Sequence, residues 1–226
     1  MSVEALDNPV WTALRGHHSQ FAVVEGAAAR YPADMGPFVA VESATAVTAG
    51  ALRRIVKPGE SIYFVGVVPE LGTEWEVTFS GLMPQMICRS ALMVRPGPEF
   101  TELTEARHRT DMVALTALVY PGFFRPRTPE MGRYLGIYVD DKLVAMAGER
   151  MRFGDYREIS AVCTHPEFVG RGYAQRLMAQ LTNDNLERGV TPMLHVNRDN
   201  TRAISVYERL GYTHRALIML CAAKRL

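Results

Sequence analysis

At 226 residues and 25.2 kDa the chain has room for one large core or two smaller ones, and 48 % hydrophobic with 22 % charged residues excludes a disordered or fibrous polymer. Lys and Arg number 25 against 24 Asp and Glu, a formal net charge of +1, too little for the phosphate-neutralising surface of a nucleic-acid binder. The longest apolar runs, Ile62–Val68 and Ala216–Ala223, fall well short of the roughly 18 to 20 residues of a membrane span. Glu4 and Asp7 precede any apolar run, so no secretion signal is expected and the cytoplasm is the expected compartment.

Taken in chain order, Ala51–Val56 predicts a short helix stopped by Pro58-Gly59, and Ile62–Val68 and Glu74–Phe79 predict strands parted by Pro69 and Gly72. Arg95-Pro96-Gly97-Pro98 sets two prolines around a glycine, where no regular element continues. A domain boundary is expected there, with a mixed α/β half over 1–97 and a second domain over 98–226. Beyond it, Thr110 or Asp111 is placed to cap a helix whose Met112, Leu115, Leu118 and Val119 recur at helical spacing up to Pro121-Gly122. Leu135–Val139 and Leu143–Ala147, joined by Asp140-Asp141-Lys142, predict a hairpin, and Arg157–Thr164 adds a third strand after Gly154-Asp155. A helix from Tyr173 to Arg188 follows, with Leu177, Met178 and Leu181 on one face and Gly189 as its stop. Met193–Val196 is a further strand; Asn200 can cap a helix carrying Ala203, Ile204, Tyr207 and Leu210, and Gly211 ends it before a last strand, Thr213–Cys221. This order predicts an α+β fold with helices packed on a sheet.

Cys88, Cys163 and Cys221 lie far apart in no zinc or redox spacing, and His17-His18 has no third ligand at metal spacing, so no metal is expected. Gly170-Arg171-Gly172-Tyr173-Ala174 falls between a predicted strand and a predicted helix, where free backbone N–H groups and the positive end of the helix dipole can hold phosphate oxygens. A short Gly-x-Gly also serves any tight strand-to-helix turn. This one has neither the third glycine of a Rossmann turn nor the Lys-Ser/Thr of a P-loop.

The surrounding blocks are more specific. His165-Pro166-Glu167-Phe168-Val169-Gly170-Arg171-Gly172-Tyr173-Ala174, then Asn200-Thr201-Arg202-Ala203, then Tyr207-Glu208-Arg209-Leu210-Gly211-Tyr212, resembles the GNAT superfamily of acyl-CoA N-acyltransferases. The resemblance covers roughly Thr101 to Cys221 and looks most like the two-half branch that includes glycine N-acyltransferase, with a degenerate first half. Val169 departs from the Arg or Gln usual at the first position of that loop, which matters little where backbone amides do the binding. The resemblance implies a GNAT fold, a mixed central sheet flanked by helices, over the second domain, and acetyl-CoA as co-substrate. It implies that Val162, Cys163 and Thr164 offer main-chain groups to the pantetheine arm. Gly170, Arg171, Gly172, Tyr173, Ala174 and Gln175 would wrap the pyrophosphate, and Asn200 would reach the cofactor near the thioester.

Tyr207 stands where the family keeps its general acid, and a phenol there can protonate the departing thiolate. Two residues are candidates for the general base: Glu158, acting through water, and His195, whose imidazole suits proton transfer near neutrality. The family builds its acceptor side partly from the loop after the first helix, here Pro121–Glu130. Its Phe123, Phe124, Arg125 and Arg127 would suit a small amine bearing a carboxylate or an aromatic group, or simply form a surface connection. The expected activity is transfer of an acetyl group to a primary amine, a small molecule or a peptide N-terminus, by a monomer or homodimer. The alternative is a module that senses acyl-CoA without turnover.

Overall fold

The computed structural model describes residues 4–45 and 48–226. They form two compact units: the first holds the described residues up to Pro84 with Met151–Gly154 and Ala216–Leu226, the second Gln85–Arg150 and Asp155–Arg215.

The first unit opens with two short helices, α1 (Glu4–Asp7) and α2 (Pro9–Arg15). Pro9 starts α2 where a missing N–H costs nothing, and Val10, Ala13 and Leu14 form its buried stripe. Strands β1 (Val23–Glu25), β2 (Ala28–Arg30) and β3 (Val39–Val41) make a three-stranded antiparallel sheet that the sequence patterns did not signal, each strand being too short to alternate visibly. Helix α3 (Ala49–Ile55) and strand β4 (Ser61–Val65) stand close to the expected helix and strand. Strand β5 (Trp75–Ile87) runs well past its expected end at Phe79 and carries the chain from one unit into the other. Val39, Val41, Leu52, Ile62, Phe64 and Trp75 form the core of this unit with Cys221 and Ala223.

The second unit contains the elements that carry the candidate chemistry. After a two-residue strand β6 (Thr101–Glu102), helix α4 (Ala106–Val119) begins earlier than the Thr110 or Asp111 expected as its cap. The Glu105 side chain caps it, and the Glu105 amide in turn donates to His108 Nδ1 at 3.1 Å, a reciprocal box with histidine where the usual pattern has Glu or Gln. Strands β7 (Tyr134–Val139), β8 (Lys142–Phe153) and β9 (Tyr156–Thr164) form the expected meander. Its first turn holds Asp140 and Asp141 at φ of 49° and 59°, as a two-residue hairpin turn requires. Helix α5 (Tyr173–Glu187), strand β10 (Thr191–His195), helix α6 (Thr201–Arg209) and strand β11 (Thr213–Arg225) complete the chain. β11 continues past Cys221 because Ala222 and Ala223 go on pairing with Tyr63 and Ile62 of β4.

Within the second unit the strand order is the end of β5, then β10, β9, β8, β7 and β6. β10 is antiparallel to β5 and parallel to β9. Alternation along the strands sorts side chains to two faces. One face, with Leu135, Ile137, Ala145, Ile159 and Leu194, packs on Leu177, Met178 and Leu181 of α5, each fully buried and each stabilising by about 1.5–3 kcal/mol. The other face, with Tyr134, Leu143, Met146 and Cys163, packs on Met112 and Leu115 of α4.

The Arg95–Pro98 break lies inside this unit, which moves the division of the chain upstream of the expected 97/98 boundary to Pro84/Gln85. The irregular segment is laced to α5. Asn183 bonds both the N–H and the carbonyl of Leu92 at 2.7 and 2.8 Å, and the buried Arg176 guanidinium donates to the carbonyls of Arg95 and Pro98 at 2.6 and 2.5 Å.

Candidate active site

Between β9 and α5 the chain makes a 3-10 turn, Pro166–Phe168, and then a loop through Gly170 and Gly172 at φ of 90° and 77°. That left-handed conformation is strained for any residue with a Cβ, so both glycines are needed to turn the backbone N–H groups outward at the start of the helix. The amides of Phe168 and Val169 are taken by His165 and Pro166, and that of Arg176 by Gly172. Those from Gly170 to Gln175 find no acceptor among the described residues. Several donors therefore converge on the positive end of a helix dipole, a ready anion site. The Arg171 guanidinium lies over the Phe168 ring, 4.6 Å from its centre.

The sheet opens beside this loop. The β9-β10 ladder runs from Thr191↔Tyr156 to Met193↔Glu158 and ends there, although β9 continues to Thr164. Ala161, in the middle of β9, has a φ of 53°. A non-glycine residue in that region marks a bulge, and the packing bears this out. Glu158 and Cys163 are an odd number of residues apart yet face the same side of the sheet, while Ile159 and Val162 pack on the α5 side. The main chain of Val162, Cys163 and Thr164 is thus left without ladder partners on its β10 side, beside the amides of the loop.

Glu158 and His195, the two candidates for the base, are brought together. His195 Nδ1 lies 2.7 Å from Glu158 Oε1, and their side chains are 4 % and 1 % exposed. Arg150 grips the same carboxylate through Nε at 2.9 Å and Nη2 at 2.6 Å. Burial alone would raise the Glu158 carboxyl, but the Arg150 charge and the His195 hydrogen bond outweigh it and hold it at about 2. A carboxylate so weakly basic is a poor proton acceptor near neutrality and a good anchor for the imidazole. His195 Nε2 faces the side-chain amide of Gln85 at 3.0 Å, and Gln85 Oε1 faces Arg215 Nη1 at 3.1 Å. On the opposite face Glu149 takes a short bond from Arg157 and one of 2.8 Å from Asn185.

Gln85, Arg150 and Arg215 are absent from the residues singled out in the sequence. Arg150 had a signal in spacing: Glu149 and Arg157, like Arg150 and Glu158, are opposite charges eight residues apart on the two sides of the Gly154 turn, and each pair meets across the hairpin. Gln85 had none, lying in a segment distant in sequence that pairs with His195 through β5.

Tyr207 is half-buried on α6 against the α5-side core, with its ring 6.3 Å from that of Tyr212. Burial pushes its phenol up, keeping the proton on at neutral pH. Asn200 caps α6, its Oδ1 accepting from the Ala203 amide at 3.1 Å. The three cysteines are buried and free, and burial raises the Cys163 thiol to about 12, so a thiolate nucleophile is disfavoured. In the Pro121–Glu130 loop, Phe124 meets Tyr134 edge-on at 5.7 Å, and Arg127 is paired with Glu130 through bonds of 2.9 to 3.2 Å. Arg125 has no ion-pair partner among the described residues. Among those residues no helix is long and apolar enough to cross a membrane, and no group of His, Cys, Asp or Glu is arranged to hold a metal.

A meander that splits from the next parallel strand beside a glycine-rich helix start is the arrangement that the sequence's resemblance to acyl-CoA N-acyltransferases leads one to expect. Comparison with known proteins specifies the family. The model of the FR47-like protein family matches residues 134–219. A solved structure from Novosphingobium aromaticivorans, assigned to the GNAT family of acetyltransferases, is 32 % identical with a TM-score of 0.89, covering 98 % of each chain. A GCN5-related N-acetyltransferase from Kribbella flavida shares the fold at 19 % identity and a TM-score of 0.65, over 100 % of this chain and 96 % of that one. An acetyltransferase of Yersinia enterocolitica is 40 % identical over 57 residues, a match spanning 25 % of this chain and 40 % of that protein. The chain belongs to the GNAT family of acetyltransferases.

Proposed function

We propose that the chain is an N-acetyltransferase that moves an acetyl group from acetyl-CoA directly to a primary amine. The observation that carries this reading is the run of amides from Gly170 to Gln175 at the start of α5, unpartnered among the described residues, beside main chain of β9 that lacks ladder partners on its β10 side. Those amides would hold the CoA pyrophosphate, Val162, Cys163 and Thr164 would align the pantetheine amides, and Asn200, whose Oδ1 already caps α6, would offer its remaining amide group. Bound acetyl-CoA supplies an activated thioester. His195, anchored through Nδ1 by Glu158, accepts a proton from the acceptor ammonium at Nε2, and the freed amine attacks the thioester carbonyl. The C–S bond breaks once the C–N bond has formed; Tyr207 gives its hydroxyl proton to the departing sulfur and regains one from the nitrogen of the new amide. The raised cysteine thiols support transfer without a covalent enzyme intermediate.

The acceptor we assign is a small amine or a peptide N-terminus. Arg125 is the loop cation left to meet an anionic group, since Arg127 is paired with Glu130. The preceding compact unit, with its own sheet, supports a place in the two-half branch that includes glycine N-acyltransferase. The test is thiol release from acetyl-CoA across a panel of amino acids, polyamines, aromatic amines and peptides. Release that depends on the amine and matches N-acetyl product one for one is expected. Tight CoA binding with no release for any amine would instead make the chain an acyl-CoA sensor.

A further inference from the structure

Five side chains on the α4 face of the sheet form one continuous hydrogen-bonded row: Arg150 on β8, Glu158 on β9, His195 on β10, Gln85 on β5 and Arg215 on β11. All five lie in the second unit. The direction of every bond in the row is fixed from its ends. Arginine has donors only. At one end Arg150 donates twice to Glu158, and the carboxylate, accepting everything it touches, makes His195 Nδ1 a donor. At the other end Arg215 donates to Gln85 and so turns Oε1 towards itself. The amide nitrogen of Gln85 must then face His195, which makes Nε2 an acceptor. One nitrogen donates and the other accepts, so the ring is the neutral Nδ1–H tautomer, with its basic lone pair on Nε2.

We propose that Gln85, oriented by Arg215, is a positioning residue that keeps the His195 Nε2 lone pair unprotonated for the acceptor amine. The proposal rests on the reading of His195 as proton acceptor. The Gln85 amide donates an N–H to Nε2, as the ammonium of the acceptor would, so it holds the place that the substrate takes over. An N–H donor standing there also opposes an imidazolium. To face an Nε2–H the amide would have to rotate, presenting Oε1 to the ring and an N–H to Arg215, which has nothing to accept it with. A leucine or methionine could fill the same space in a merely structural row; the need for a donor on one side and an acceptor on the other is what selects glutamine.

The near-isosteric Gln85→Glu variant puts an acceptor where the donor stood. Its carboxylate can bond Arg215 and an Nε2–H at once, so His195 becomes doubly protonated while the rest of the row is kept. With histidine labelled by ¹⁵N, the ring shifts of His195 at neutral pH should report the Nδ1–H tautomer in the parent enzyme and imidazolium in Gln85→Glu. kcat should fall by about a hundred-fold, the range for losing an acid–base group, with KM for acetyl-CoA unchanged. A second variant, Arg215→Met, leaves glutamine in place but removes its orienting donor. It should lower kcat less, and Gln85→Asn should lower kcat as well, because its shorter arm cannot span both partners. The opposite tautomer in the parent enzyme, or a neutral His195 in Gln85→Glu, overturns the proposal whatever the rates. Imidazolium with an undiminished kcat overturns the reading of His195 as the base and leaves the positioning in place, so the two failures are told apart.

Discussion

Tyr207 and Glu158 show how far burial decides a residue's chemistry. The Tyr207 phenol, raised by burial, is an acid that keeps its proton until a strong base forms beside it. Tyr207→Phe should lower kcat by at least about ten-fold while leaving CoA affinity as it is, because the ring still fills its place against Tyr212. Calorimetric titration with CoA and steady-state kinetics on the same preparation check this, and an unchanged kcat removes Tyr207 from the reaction. Glu158 is the reverse case, a buried anion tolerated only because Arg150 and His195 surround it. Arg150→Met leaves that charge uncompensated and should cost about 3–5 kcal/mol in urea unfolding. Arg150→Met with Glu158→Gln should recover much of the loss. A double variant no more stable than the single one would mean that the guanidinium stabilises through packing rather than through the pair.

At the scale of elements, backbone conformation decides whether the loop before α5 works. Gly172 has nothing closer than 3.9 Å to the position of an added Cβ, so alanine fits sterically but not conformationally at φ +77°. Gly172→Ala should cost about 1–2 kcal/mol or drive the loop out of its left-handed turn, and in either case weaken CoA binding more than it slows turnover. A titration giving parent affinity would show that the amides do not depend on that turn. Gly148 is the contrasting case: an added Cβ would lie 2.1 Å from the Tyr134 ring, so Gly148→Ala should destabilise the meander by about 1–3 kcal/mol, read as a lowered unfolding midpoint. These elements also mark how much was legible in the sequence. The meander, α5, β10 and α6 were, because their apolar periods and glycine stops are local, and so was the Gly170–Gln175 loop. The start of α4 was not, since histidine took the place of the usual Glu or Gln in its capping box. The bulge at Ala161 leaves no trace in composition, although it turns Cys163 to the same face as Glu158. Gln85 could not be found locally at all, because its role comes from the pairing of β5 with β10, 110 residues away.

At the scale of the whole molecule, each unit contains a carboxylate clamped by an arginine, and this sets the response to acid. In the first unit Glu60 bonds Arg30 and the Lys57 amide, and although burial would raise its carboxyl, these partners hold it below the ordinary value of 4.5. In the second unit Glu158 is held at about 2. A carboxyl lowered in the folded state binds fewer protons there than in the unfolded chain wherever the pH lies near or below 4.5. Its contribution to stability is therefore complete above that value and drains away as the pH falls towards the folded value. The melting temperature should accordingly be flat between about pH 6 and 7 and fall steeply below about pH 4.5, with the loss at Glu158 continuing down to about pH 2. Glu158→Gln removes the Glu158 contribution, so its melting curve should start lower at neutral pH and slope less between pH 4.5 and 2. Calorimetric scans of the parent and variant across that range measure the difference. Parallel slopes would mean that the Glu158 carboxyl titrates alike in the folded and unfolded chains, in which case the Arg150 clamp does not hold it ionised.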